Sequence, residues 1–415
     1  MVRREEIKNV GFISTRIAGT DGVSLEIEKW ATVLERNGYR CFYFAGELDR
    51  DPNKSFLVEE AHFNHPFIKR LNDYLFRERR RKPEISNLIH GFKEDLKSKL
   101  YEFYTQFDID LIIPENALSI PMNIPLGLAL TEFIAETDIP TIAHHHDFYW
   151  ERKRFFINSC QDYLRTAFPP DLPSMRHVVI NSIASKQLSY RLGISNTIIP
   201  NVYDFSKEPT KSSTSIERIR KDTGLEENEI LIMQPTRVVP RKMIERSIEI
   251  ARHLDKFNPV LVVTHPPGDE GDTYRKHIME YAERMDVKII WIDHLIGSNN
   301  AREKYTLEDI YHSADIVTYP SSIEGFGNAF LEAIYYKKPI VVNRYSVYVM
   351  DIEPRGFNVI SFDDFVTIDV IRKIEKVLTD ADDRRRMVEH NYRIAKNFFS
   401  YEVLEQKLLP LFHTF

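Results

Sequence analysis

Glu324 and Glu332 bracket the stretch Glu324-Gly325-Phe326-Gly327-Asn328-Ala329-Phe330-Leu331-Glu332, whose surroundings suit a ligand with phosphates in its middle and hydroxyl groups at its ends. A carboxylate accepts hydrogen bonds from sugar or ribose hydroxyls and is a poor partner for phosphate. Gly325 and Gly327 let a ligand approach the backbone, and a helix opening near Asn328 directs its N–H groups and the positive end of its dipole at an anion. Positive side chains come from Pro235-Thr236-Arg237-Val238-Val239-Pro240-Arg241-Lys242, where Arg237 and Lys242 follow an apolar run and precede a helical pattern.

The first half carries a second group of candidates. His144, His145 and His146 stand in a row after Pro140-Thr141-Ile142-Ala143, just before Asp147. Successive strand side chains point to opposite faces, so three neighbours in strand geometry cannot share one metal. One of them is expected to face a ligand, His146 first and His144 second, with the others structural. Glu115 and Asn116 follow the apolar run Asp110 to Pro114, and Gly19-Thr20-Asp21-Gly22 follows Val10 to Ser14. The glycines lack the Gly-x-Gly-x-x-Gly spacing of the dinucleotide fingerprint, so they make either a tight turn or a loop beside a ligand. Asp108-Ile109-Asp110 matches a metal-diphosphate pattern but lies at the amino end of its strand. Open α/β sheets bind ligands at the other end, so it is not read as a metal site.

These residues are positioned by alternating strands and helices. Val10–Ser14, Cys41–Ala45, Asp110–Pro114 and Val178–Asn181 read as strands of one sheet. Ile230–Gln234, Val260–Thr264, Val287–Ile292, Ile316–Tyr319 and Ile340–Val342 read as strands of another. Leu25, Ile27, Trp30, Ala31 and Leu34 mark the inward side of the first helix, and helices are expected over Thr131–Ala135, Met243–Leu254, Tyr274–Arg284 and Thr306–Ser313. Residues 56–106 are irregular for such a fold, although Phe67 to Phe76 has helical apolar spacing, and the run Arg77-Glu78-Arg79-Arg80-Arg81-Lys82 reads first as a solvated helix end. A basic amphipathic patch that touches anionic lipid or an anionic acceptor is the sharper alternative. The polar stretch Lys207 to Ser215 is the best composition boundary. The tail with Phe398, Phe399, Tyr401, Leu404 and Leu408 reads as an amphipathic helix that must pack somewhere.

At 415 residues the chain suits two domains. A net charge of −6 gives no general reason to bind nucleic acid. Two widely spaced cysteines, Cys41 and Cys160, argue against a disulfide framework and suit a reducing cytoplasm. Met1-Val-Arg-Arg-Glu-Glu has no apolar leader, and the apolar segment Ile120–Leu130 is short and holds Pro121 and Pro125, so no membrane span is expected.

Taken together, the chain resembles the retaining glycosyltransferases of the GT-B fold, family 4. Glu324…Glu332 resembles that family's Glu-x7-Glu signature, Arg237 and Lys242 its Arg…Lys pair, Pro200-Asn201…Asp204 its interdomain linker, and His146-Asp147 its cleft histidine. Met243 stands where a glycine is common, and the segment after Asn343 lacks the paired glycines often seen there. The resemblance implies an α/β fold of two Rossmann-like domains facing each other across a cleft. Residues 1–200 would form the acceptor side and 201–390 the nucleotide-sugar side, with a helix in 391–415 packing back on the first domain. It implies hexosyl transfer with retention from a UDP- or GDP-linked sugar to a hydroxyl acceptor, with no cofactor and no metal. Arg237, Lys242, Glu324 and His146 would be catalytic. Glu332, Gly325, Phe326, Gly327 and Asn328 would bind the donor, and Gly22, Asp21, Glu115 and Asn116 would line the acceptor side. The partners implied are a nucleotide sugar and a small-molecule, glycan or lipid-linked acceptor. No nucleic acid is implied, and peripheral membrane contact is compatible with the basic run. The rival functions are a GT-B sugar-nucleotide epimerase or hydrolase and a non-catalytic nucleotide-sugar sensor.

Overall fold

The computed structural model describes residues 7–19, 21–209, 213–267, 271–296 and 305–415, with backbone alone for 213–217. The amino-terminal Met1 to Glu6, Thr20 of the glycine turn and part of the polar stretch after Lys207 lie outside the described residues. Contacts divide the chain into two compact units, residues 1–201 with 401–415, and residues 202–400.

The first unit contains β1 (Asn9–Ile13), α1 (Gly22–Arg36), β2 (Arg40–Ala45), β3 (Ser55–Leu57), α2 (Pro66–Leu75), α3 (Pro83–Phe107), β4 (Leu111–Pro114), α4 (Ile124–Thr137), β5 (Thr141–His145), α5 (Gln161–Ala167), β6 (Met175–Val179), α6 (Ser182–Leu192) and β7 (Asn196–Ile198). Its strands form one parallel sheet in the order β3-β2-β1-β4-β5-β6-β7. β1, β4 and β5 are buried along their whole length. Helices cover both faces of such sheets, which is why these strands read as continuous apolar runs.

The stretch 56–106 holds two helices, α2 over the helical pattern expected for Phe67–Phe76 and α3, which was not expected. α3 runs for 25 residues and buries Ile89, Lys93, Leu96, Leu100 and Phe103, a stripe at alternating spacings of four and three. Lys93 breaks the apolar stripe in the sequence, but it is held by Glu94 and Glu132, the latter from α4. The basic run is not simply a solvated helix end. α2 stops at Leu75, and Arg81 forms a two-pronged pair with Asp162 while lying 4.1 Å over the Tyr163 ring. In α1 the buried face includes Ser24 and Glu26 alongside Ile27, Trp30 and Leu34, while Leu25 is only partly covered.

The second unit contains α7 (Ser213–Thr223), β8 (Ile230–Gln234), α8 (Ile244–His253), β9 (Pro259–Val263), α9 (Thr273–Arg284), β10 (Lys288–Trp291), α10 (Leu307–Ser313), β11 (Ile316–Tyr319), α11 (Asn328–Tyr335), β12 (Ile340–Asn343), β13 (Ile360–Phe362), α12 (Ile368–Thr379) and α13 (Ala381–Phe398). Its parallel sheet has the order β10-β9-β8-β11-β12-β13. Both units therefore show the strand arrangement of a Rossmann-like fold, with order reversing beside the first strand. The sequence-expected tail of 391–415 starts later in the structure. α13 stays in the second unit, and α14 (Tyr401–Phe412) packs in the first unit, with Arg36 over the Tyr401 ring and Tyr39 against Phe412. Among the described residues no helix is long and apolar enough to cross a membrane.

Candidate active site

Because every strand pair in each sheet is parallel, the carboxyl ends share one edge of that sheet. The strand order reverses between β1 and β4 and between β8 and β11, which opens a crevice at that edge. Nearly all the residues singled out by chemistry follow these strands.

In the second unit, Lys242 and Glu324 form a buried ion pair, their side chains 10% and 9% exposed. Arg241 reaches the other carboxylate oxygen at 3.4 Å. Burial alone would raise the Glu324 carboxyl, but Lys242 and Arg241 outweigh it and hold it below its usual range. Burial lowers the Lys242 ammonium, and Arg241 and Arg237 push it the same way against Glu324. The two loops are stitched together, since Ser322 donates its backbone N–H to the Arg241 carbonyl at 2.9 Å. Met243, just before α8, has φ 47° and ψ 51°. Glycine adopts that left-handed conformation readily, and a methionine here carries local strain.

The glycine-bearing loop is fixed from behind by two tyrosines. Tyr345 donates its hydroxyl to the Phe326 carbonyl at 2.6 Å. Gly327 has φ 121°, and a Cβ there would lie 2.6 Å from the Tyr345 hydroxyl and 3.3 Å from the Tyr319 ring. Only glycine fits both demands. No side chain caps α11 at Gly327. Four residues into the helix, Glu332 accepts a hydrogen bond from the Tyr311 hydroxyl at 2.9 Å.

In the first unit the three histidines separate by face. His144 and His146 both meet Glu115, at 2.9 Å and 3.1 Å from its Oε2. His145 points the other way, to Ser119 and, through Nε2, to His177 Nδ1 at 3.0 Å. Glu115 is completely buried, and His146 keeps 11% of its side chain exposed. Burial opposes charge on Glu115, yet His144 and His146 hold its carboxyl below the usual range. Burial likewise lowers His144, whereas on His146 the hydrogen bond and charge of Glu115, with Glu26 behind, overcome burial and raise the imidazole. Trp30 stacks on His144 with ring centroids 4.2 Å apart. Asn116 orders the turn, accepting the His146 N–H at 3.2 Å and donating to Asp147 at 3.1 Å.

The ligand atoms of Glu115, His144 and His146 lie within 4.8 Å of one another, close enough to hold a metal ion. His144 and His146 are each hydrogen-bonded to Glu115.

The sequence profile described as "Glycosyl transferases group 1" matches residues 215–394. Across 94% of the chain, and 96% of the other protein, the sequence is 32% identical to the mannosylglucosylglycerate synthase of Thermotoga maritima. The chain belongs to the group 1 glycosyl transferases. A mannosylglucosylglycerate synthase from Petrotoga mobilis is 31% identical over 85% of the chain and 86% of its own length. The crystal structure of Anabaena HepE in complex with UDP and glucose superimposes with a TM-score of 0.63 at 13% identity, covering 99% of this chain and 100% of that one. This group 1 transferase is thus a glycosyltransferase with the two Rossmann-like units of the GT-B fold, and its donor is a nucleotide sugar.

Within this transferase, the structure brings Arg241, Lys242 and Glu324 into contact, and the charge of exposed Arg237 reaches Lys242. Two acceptor-side candidates turn out differently. Glu115 is enclosed by its histidines, so it positions them and is not itself presented to a ligand. The Asp21 carboxylate caps α1 through the Val23 and Ser24 amides and pairs with Arg16. Gly22 opens that helix with nothing within 4 Å of where a Cβ would sit. Sequence reasoning missed His265, which follows β9 beside the same group and is lowered to about 4 by burial and by Lys242 and Arg237. The carboxyl-end rule that selected Arg237 would also have selected it. Tyr311, Tyr319 and Tyr345 gave no signal, since aromatics in apolar runs read as core.

His145 and His177 set an acid limit on stability. Burial holds both imidazoles neutral, and His177 falls from 6.5 to about 4. The unfolded chain therefore binds more protons below pH 6.5. Stability is complete above that value and declines as pH falls towards 4, on the order of 3 kcal/mol for His177. Urea midpoints should drop between pH 7 and 5, and His177→Gln should flatten the slope. An unchanged slope in the variant would remove His177 from this account.

Proposed function

We propose that this enzyme transfers a mannosyl group, with retention, from a nucleotide-diphosphate mannose to a hydroxyl of glucosylglycerate. The observation that carries the reading is the near full-length likeness to a protein named mannosylglucosylglycerate synthase. The second unit supplies the donor chemistry in this reading. Glu324 accepts hydrogen bonds from the transferred sugar, Glu332 from the ribose, and Gly325, Phe326, Gly327 and Asn328 approach the diphosphate. As the bond from the anomeric carbon to the phosphate oxygen breaks, negative charge grows on the leaving diphosphate. Arg237 and Lys242 stabilise that charge, which favours the transition state over the ground state. The acceptor oxygen bonds the anomeric carbon on the face the phosphate leaves, and its proton passes to the departing phosphate oxygen. His146, raised by Glu115, hydrogen-bonds a substrate hydroxyl.

Mass spectrometry of GDP-mannose incubated with glucosylglycerate should show a mannosylated product, and nucleotide release should depend on the acceptor. Donor consumption without acceptor would instead favour an epimerase or hydrolase. Nucleotide binding with no transfer from GDP- or UDP-sugars would favour a sensor. The reaction is proposed to need no metal, because the cations beside Glu324 already supply positive charge. Rates should survive EDTA, and loss restored by Mg²⁺ or Mn²⁺ would overturn that part. We place the enzyme in the cytoplasm, as its two free, buried cysteines suit a reducing compartment. Cell fractionation is the check.

A further inference from the structure

Among the described residues Arg154 forms no ion pair. It lies on the segment that leaves the carboxyl end of β5, beyond His146 and Asp147, in the short turn Lys153–Phe155. One guanidinium nitrogen sits 2.9 Å from the Met122 sulfur, on the segment that leaves β4 after Glu115 and Asn116. The guanidinium carbon lies 4.5 Å from the Phe155 ring centroid. It thus bridges the two segments that carry the first-unit candidates.

Arg152 pairs with Asp147, which also accepts from Asn116. Among the described residues, no carboxylate lies within ion-pair distance of Arg154. More than a third of the residue is exposed to solvent, and burial of the rest with the charge of Arg152 lowers its pKa against the opposing charge of Asp147. An exposed guanidinium with no carboxylate in contact is open to an incoming anion. The Met122 segment is itself anchored, since Asn72 donates to the Met122 carbonyl at 2.7 Å.

The product named for the similar enzymes contains a glycerate, whose carboxylate is ionised at neutral pH. We propose that Arg154 is the residue that selects an anionic acceptor, its planar fork pairing with the glycerate carboxylate at the rim formed by the segments after β4 and β5. Arginine suits the task because two parallel N–H donors match a carboxylate, which a lysine cannot reproduce. The assignment rests on glucosylglycerate being the acceptor.

The test compares glucosylglycerate with glucosylglycerol, which keeps the skeleton but carries a neutral CH₂OH in place of the carboxylate. The wild-type enzyme should favour glucosylglycerate. Arg154→Ala should lower kcat/KM for glucosylglycerate about 10- to 100-fold, chiefly through KM. Its activity on glucosylglycerol should stay within about threefold, which also shows that the variant folds and binds donor. Arg154→Lys should fall between. Equal losses on both acceptors, or no loss on glucosylglycerate, would overturn the role of Arg154 while leaving the acceptor assignment intact. A wild-type enzyme that uses neither acceptor overturns both.

Discussion

Lys242→Met should lower kcat by about two to three orders of magnitude, the scale of removing one preorganised donor to a developing anion. The same change should destabilise the second unit. Glu324 would lose its nearest cation and keep Arg241 at 3.4 Å, and removing one partner of a buried pair costs about 3–5 kcal/mol when nothing replaces it. Loss of fold and loss of chemistry can be separated. In Lys242→Met with Glu324→Leu the buried charges go together, and such apolar replacements are often neutral in stability. The double variant should recover much of the urea midpoint and none of the turnover. Recovery of activity with stability would mean that the pair is structural, and Lys242→Met with turnover within tenfold of wild type would sink its catalytic role.

The ion pair also bears on what could be read from sequence. Lys242 and Glu324 stand 82 positions apart, and nothing in local spacing says they touch. What was legible was placement, since each follows an apolar run that could only be a buried parallel strand. The carboxyl-end rule therefore found Arg237, Lys242, Glu324, Glu115 and His146 without any contact being known. Roles were less accessible. Glu115 looked like a group presented to a ligand because a glutamate after a strand is normally exposed. Its two histidine partners come from β5 and the turn beyond it, 29 and 31 positions on. Asp21 looked similar, but it occupies the first cap of α1, a task for which aspartate is favoured in any helix. α3 was missed because Lys93 interrupts its apolar stripe, and only the acids that meet it make that lysine tolerable inside.

Met243 shows how a departure from a family pattern can be informative. A methionine where glycine is common raised the question whether the Arg…Lys segment keeps its shape. The backbone there is left-handed at φ 47°, so the turn keeps the conformation that glycine adopts readily. The missing glycines after Asn343 resolve differently. Tyr345 occupies that segment and holds the Phe326 carbonyl, so an aromatic hydroxyl supports the loop.

Glu115→Gln is the second change with a large expected effect, and its signature is a pH profile. Two buried imidazoles depend on this one carboxylate, so removing its charge should cost about 3–5 kcal/mol near neutral pH. The Glu115 carboxyl is held below 4.5, so its contribution is present above that value and lost as pH falls through its folded pKa. His146 is held above 6.5, so its contribution is present below that value and lost as pH rises through its folded pKa. The stability difference between wild type and Glu115→Gln should therefore peak between about pH 4.5 and 6.5 and shrink on both sides. The groups around the pair temper this without reversing it. Glu26 and Asp147 favour the charged imidazole of His146, while His144, itself lowered by burial, gains a proton only in more acidic solution. His145 and His177 lower the acid stability of both proteins alike and cancel in the difference. In NMR titration the His146 resonance of the variant should move at lower pH than in wild type. An unchanged His146 titration, with equal urea midpoints from pH 4 to 9, would show that Glu115 does not hold the imidazole.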